Sequence, residues 1–502
     1  MIDKYYNGVI EQVYNRVGKT ERNIVMASYN NDFSIESLET IKRYQDKDDS
    51  VFFAWHEFGY RELTGAYEPF LDTICNMFRK YREGDFDTFL TECGVYELHK
   101  EIFRSYYETG ICDREEGVLL NEVEYEQGRM TEAIAAMLKA LAKTHPIVLV
   151  INRFQRASRS AIELVHALIM NPDPNIGLVL GVNESVRRGD SGTEVWDGIV
   201  ESLEDHSQLY HIGSSNHRRT EQKEEIALSE GYTDNVYVDE NYEESIRKVT
   251  NIVEFLDYDQ AKRYFQEVEH KIKFEDAQME ESCKRSFYLL YAKTSILLGE
   301  LSKALELVSE ATHMVPAEDE YLYCSQCDFL RATCYMYQGK LEKAEKYANL
   351  AYGRAVESGN VKQVFRAELL KVMTRMSGWY NIFFCVQDIP IEAELIEKLM
   401  QYGYWNHLAH IYIYAYDNHP KVVAKAYRSE AALFYFSKGV DLAKRIGNEQ
   451  LVYDAYQKNI MLASTNGMNE IALLYSVRTY EAMKNRGGFY TGRLLSGIGY
   501  NL

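Results

Sequence analysis

The stretch His145-Pro-Ile-Val-Leu-Val-Ile-Asn152-Arg-Phe-Gln-Arg-Ala-Ser-Arg159-Ser-Ala-Ile-Glu-Leu-Val-His-Ala-Leu-Ile-Met170 decides the fold of this 502-residue chain. The apolar run from Pro146 to Ile151 is short and does not alternate, which predicts a strand buried on both faces. A polar segment follows, and from Ser160 to Met170 the apolar residues take helical spacing. The same units recur on either side. Apolar strands are expected at Asn23–Ala27, Val51–Trp55 and Ile176–Val182. Helices are expected before Arg22, over Ile35–Tyr44, within 71–110 (Leu71, Ile74, Met77 and Phe78 on one face) and over Glu124–Lys143. Strands alternating with helices predict a mostly parallel sheet covered on both sides.

In such sheets, ligands sit beyond the carboxyl ends of the strands. Phosphoryl transfer there needs carboxylates for Mg²⁺ and water, and a glycine-rich loop with a lysine to wrap the phosphates. The strand at 147–151 ends instead in Asn152 and Arg153. The loop after the first strand, Ser28-Tyr-Asn30-Asn31-Asp-Phe-Ser34, contains neither glycine nor lysine. Val17-Gly-Lys-Thr20 matches the end of a phosphate-loop motif, but the motif's first glycine falls on Val13 and the tetrapeptide precedes the strand. It reads as a helix end at Gly18.

The order of these segments, with Ala66-Tyr-Glu-Pro-Phe-Leu-Asp72, His145–Ile169 and Asn175-Ile-Gly-Leu-Val-Leu-Gly-Val-Asn-Glu-Ser185, resembles the ATPase domain of the signal-transduction ATPases with numerous domains. The resemblance spans roughly residues 20–215. It implies a P-loop-like, AAA-like α/β domain followed by helical repeats and, in many of those bacterial regulators, an output module. Carried over, the nucleotide site falls on Ser28, Asn30, Asn31, Ser34, Asn152 and Arg153, with Asn183 where a polar sensor residue could lie. The loop and the acidic pair both depart from the family pattern, so the expectation is a degenerate ATPase with no catalytic residues, no metal ligands and no cofactor. ATP bound without hydrolysis is the alternative. Arg153, Arg156 and Arg159 recur every three residues and could share a helix face that holds an anion, or form a solvated first turn.

Beyond residue 243 strand signals stop. Ala292, Gly299, Leu301, Lys303, Ala304 and Ala311 recur forty positions later as Ala332, Gly339, Leu341, Lys343, Ala344 and Ala351. Gly359-Asn360 is echoed by Gly447-Asn448. Small residues that let helices approach, with a glycine that ends the first one, are what a helix hairpin needs. The pattern resembles tetratricopeptide repeats with lengthened helices. Pairs are expected near 245–280, 281–316, 324–358, 361–400, 405–447 and 449–485, forming an all-α solenoid. Solenoids of this kind bind peptides or partner domains. Tyr412, Tyr414, Tyr416, Phe434, Tyr435 and Phe436 would pack between pairs or line such a groove. The expected division is therefore 1–217 for the α/β domain, 218–242 for an acidic linker and 243–502 for the repeats. From Phe489 a further helix begins without its partner, so the repeat domain is expected to be incomplete at its C-terminus.

A formal net charge of −20 argues against general nucleic-acid binding, which neutralises phosphates with Lys and Arg. The start has neither a basic leader nor an apolar core, and no segment has the length of a membrane span. The eight scattered cysteines suit a reduced, cytoplasmic chain. Cys324-Ser-Gln-Cys327 with Cys334 opens a repeat helix and reads as buried thiols, not as a zinc or redox site. His56-Glu57 at a strand end is a candidate acid–base pair without a nucleophile. The expected function is signalling or scaffolding through protein–protein contacts on the repeats, and the alternative is a nucleotide-dependent switch that lacks its output domain.

Overall fold

A computed structural model describes residues 2–483, except 21, 30–33, 37, 46–49, 60–62, 113–119, 121–122, 184–192, 207, 213–240, 275–278, 315–319, 378–392, 402, 415–429 and 466, and further describes 495, 498 and 499. The expected acidic linker lies outside the described residues up to position 240, as does most of the stretch beyond Met483.

The first part is an α/β domain: α1 (Ile2–Arg16), β1 (Asn23–Tyr29), α2 (Glu39–Gln45), β2 (Phe52–Glu57), α3 (Phe70–Tyr81), α4 (Phe86–Glu92), α5 (Glu97–Thr109), α6 (Val123–Ala142), β3 (Ile147–Asn152), α7 (Arg159–Met170), β4 (Ile176–Asn183), α8 (Thr193–Asp205) and β5 (Leu209–Ile212). The strands form one sheet in the order β2-β3-β4-β1-β5, every pairing parallel. Alternate residues feed two cores, as the strand's two-residue period requires. Val25, Ala27, Tyr29, Val148, Val150 and Val179 pack with α1 and α2. Ile24, Met26, Ile147, Leu149, Ile151, Leu178 and Leu180 pack with helices α3 to α8. The neighbouring strands β1 and β4 are therefore followed by helices on opposite faces, α2 and α8, which is where a doubly wound sheet opens its crevice.

Two glycines bring α1 close to the sheet. A methyl group on Gly177 would stand 2.7 Å from Val13 Cγ1, and one on Gly181 would collide with the Tyr6 hydroxyl and lie 2.5 Å from Asn152 Oδ1.

Twelve described helices follow: α9 (Tyr242–Glu254), α10 (Tyr258–Phe274), α11 (Glu281–Leu297), α12 (Leu301–Thr312), α13 (Glu320–Tyr337), α14 (Leu341–Ser358), α15 (Val361–Ser377), α16 (Ala393–Gln401), α17 (Trp405–Tyr414), α18 (Glu430–Ile446), α19 (Glu449–Thr465) and α20 (Asn469–Met483). They fall two by two on the six expected pairs. Gly299 and Gly339, the forty-residue partners, both take left-handed backbone, with φ of 76° and 70°. The weaker echo is also structural. Gly359 (φ 67°) and Gly447 (φ 76°) each end a helix, and the following Asn360 and Asn448 each cap the next by accepting from the backbone N–H of Gln363 (2.9 Å) and Leu451 (2.8 Å). No described helix is long and apolar enough to cross a membrane.

By contacts the chain divides into two compact units, one of residues 1–95, 99–114 and 118–314, the other of residues 96–98, 115–117 and 315–502. Helices α9 to α12 belong to the first unit, and a specific corner explains why. Phe255, at the end of α9, packs edge-on to Tyr67 and Tyr106 and joins the core under the sheet. Leu256 turns the chain with φ of 69°, and its carbonyl accepts from Gln127 Nε2 at 2.6 Å. Buried Asp257 then accepts from both the backbone N–H (3.1 Å) and the hydroxyl (2.7 Å) of Ser160, in the first turn of α7. Asn251 adds bonds to Cys112 N (2.7 Å) and Gly110 O (2.9 Å).

Candidate functional site

The carboxyl edge of the sheet is set by Tyr29, Glu57, Asn152, Asn183 and Ile212, the last residues of β1 to β5. Arg153, immediately after β3, adopts left-handed backbone (φ 55°, ψ 38°) and leads into a single 3₁₀ turn, Phe154–Arg156. Its guanidinium Nη1 lies 2.8 Å from Glu57 Oε1 and donates to the Phe58 carbonyl at 3.2 Å. The other oxygen of Glu57 accepts from the Ser34 hydroxyl (3.1 Å) and the Ile35 backbone N–H (2.8 Å). Arg153 and Glu57 are only 12% and 13% exposed, so little water competes with the pair. Three donors from two loops thus converge on one carboxylate supplied by the chain itself.

This arrangement also explains where α2 begins. The helix expected from Ile35 starts at Glu39, because the Ile35 N–H is held by Glu57 and Leu38 N closes a turn on Ile35 O at 3.0 Å.

Among the described residues, those of the expected nucleotide site make contacts in separate places. Ser34 and Arg153 meet through Glu57. Ser28 is buried and lies 2.8 Å from His211 Nδ1 of β5, its register partner. Asn152 is fully buried and accepts from the Tyr29 hydroxyl at 2.7 Å, a bond that crosses β4 above Gly181. Asn183 is buried, pairs with Tyr29 in the ladder and donates its backbone N–H to Gln155 Oε1 at 3.2 Å. Asn30 and Asn31 lie outside the described residues.

The three arginines do not share a helix face. Arg153 and Arg156 bracket the 3₁₀ turn, and Arg159 begins α7 with its side chain on Glu163 (2.7 Å) and Asp259 (3.1 Å). Ser158 and Asp257 cap α7 from within the fold.

His56 and Glu57, adjacent on a strand, point to opposite sides of the sheet. Glu57 reaches the loop after β1, while His56 stands edge-on to Phe58 with Nε2 3.5 Å from Glu68 Oε1. Burial lowers the His56 pKa, against the neighbouring charges of Asp72 and Glu57. The two side chains are therefore not an acid–base pair. Cys324, Cys327 and Cys334 are buried within α13, and burial raises the Cys334 thiol to about 12. Tyr412 is buried as a packing residue. The side chains of Tyr414, Tyr416, Phe434, Tyr435 and Phe436 lie outside the described residues.

No protein-family model matches the chain, and no curated protein does. Among solved structures it is similar to that of a signal-transduction ATPase with numerous domains carrying a tetratricopeptide repeat sensor, from Pyrococcus horikoshii. The two share 13% identity and a TM-score of 0.42, over 98% of this chain and 84% of that one.

Proposed function

We propose that the protein is a non-catalytic regulator that works by recognising a protein partner through its helical hairpins. In this reading the α/β domain serves as a folded support and does not hydrolyse nucleotide. The observation that carries it is the saturation of Glu57, the carboxylate at the strand ends, by Arg153, Ser34 and the Ile35 N–H. A carboxylate whose two oxygens are already engaged by a guanidinium and two further donors has few lone pairs left to orient a water or to ligate Mg²⁺. The test is phosphate release by the full chain with ATP and Mg²⁺. No turnover above the protein-free rate is expected, and sustained turnover lost in Arg153→Ala would overturn the reading.

The same convergence favours one second reading. Donors gathered around an anion would also receive a phosphate if Glu57 swung away, so a nucleotide-binding switch without hydrolysis is the rival. It requires saturable ATP binding, strengthened by Glu57→Ala, and falls if neither chain binds.

A further inference from the structure

Between Glu320 and Ser377, the span of α13 to α15, the chain carries nine Lys and Arg against six Asp and Glu, although its overall net charge is −20. Two of those acids are already occupied within the fold. Asp328, 1% exposed, is held by Arg331 and Arg354, and Glu368 by Lys398 at 3.2 Å. On the surface of this basic island the rings of Tyr335 (α13) and Tyr347 (α14) stack at 5.6 Å, with planes 23° apart. Lys343 and Lys340 lie over Tyr335 at 5.4 and 6.0 Å, and Lys346 and Arg331 over Tyr347 at 5.8 and 5.7 Å. Among the described residues, none of these three lysines is within ion-pair distance of a carboxylate. An ammonium resting on a ring face keeps its outer donors free, and its position is fixed at a cost of less side-chain entropy on binding.

We propose that this α13–α14 ridge is a docking surface for an acidic peptide segment of a partner protein. The charge pattern selects that class. Glu342 and Glu345 stand among the lysines on α14 and would repel an unbroken phosphate backbone, whereas spaced carboxylates on a peptide can meet Lys340, Lys343 and Lys346 and avoid them. The chain's overall acidity opposes nucleic acid further. The inference rests on the partner-recognition reading and gives that partner a chemistry.

The test is fluorescence anisotropy of a labelled Glu/Asp-rich peptide with the full chain, at low and high salt. Saturable binding that weakens with salt is expected. It should fall at least about tenfold in Lys343→Glu/Lys346→Glu, persist in Lys343→Arg/Lys346→Arg, and be unchanged in Lys42→Glu on α2. Circular dichroism of each variant establishes that it is folded. Absence of binding, binding indifferent to Lys343→Glu/Lys346→Glu, or equal binding of an oligothymidylate would overturn the proposal. Those results leave the absence of ATP turnover untouched, so the ridge and the non-catalytic reading fail separately.

Discussion

Glu57 and Arg153, at the ends of neighbouring strands β2 and β3, hold one another at 2.8 Å beside the loop that follows β1. Removing one member of a largely buried pair leaves the other uncompensated, at a cost of about 3 kcal/mol. Glu57→Gln and Arg153→Gln are each expected to destabilise the chain by roughly that amount in urea titrations. The double variant should lose less than the sum, with a coupling of about 1–3 kcal/mol. Strict additivity would show that the contact contributes no coupling.

Gly181 leaves the space through which the Tyr29 hydroxyl reaches Asn152 over β4, with the Tyr6 hydroxyl on the same spot. Gly181→Ala sets a methyl group against two buried polar atoms, and overpacking of this kind costs about 1–3 kcal/mol or more. Its midpoint in thermal unfolding should fall well below that of Gly8→Ala, where nothing lies within 4 Å of the added carbon.

Asp257 is buried against Ser160, and burial raises its pKa above the ordinary carboxylate value, partly offset by the Ser160 hydrogen bonds. Between the unfolded pKa and this raised one, the folded chain keeps a proton that the unfolded chain has released. Stability from this group therefore declines as pH rises through that window. Asp257→Asn still accepts both Ser160 bonds and carries no charge, so it should be at least as stable as the parent above the window and lose that slope. Asp257→Ala removes the acceptor of the Ser160 N–H and hydroxyl and should be less stable by about 1–3 kcal/mol. Denaturation midpoints measured across acidic to neutral pH compare the three.

The corner from Asn251 to Asp259 makes the first hairpins part of the α/β core. A fragment ending at residue 217 lacks Phe255 and Asp257 and is expected to aggregate or to unfold without a cooperative transition. A fragment ending at residue 314 keeps both and should melt cooperatively. Equal behaviour of the two fragments in calorimetry would contradict the role given to that corner.

The sheet is legible because β1, β3 and β4 are built on apolar runs, and most hairpins because Gly299, Gly339, Gly359 and Gly447 mark helix ends, whereas α9 turns at Leu256. Strand β5 was not legible, since Leu209-Tyr-His-Ile212 is four residues long and mixes polar with apolar types. In the candidate site, the sequence singles out Ser34 and Arg153, but by itself it presents the residue that joins them as half of an acid–base pair. Glu57 takes its meaning from the pairing of β2 with β3, a relation between positions 95 residues apart that local pattern cannot carry. Asp257 was hidden for the same reason, sitting in an ordinary helix corner until the fold sets it against Ser160. Gly177 and Gly181 did leave a signal. Two glycines four apart in a buried strand mark a close approach of another backbone or a large side chain.

The most direct measurement is isothermal calorimetry of the full chain with ATP and Mg²⁺ at high protein concentration. With Glu57 already seated among Arg153, Ser34 and the Ile35 N–H, no saturable heat is expected. Saturable binding that vanishes in Arg153→Ala would contradict the account, because it would show that the donors at the sheet edge serve a nucleotide and not the chain's own carboxylate.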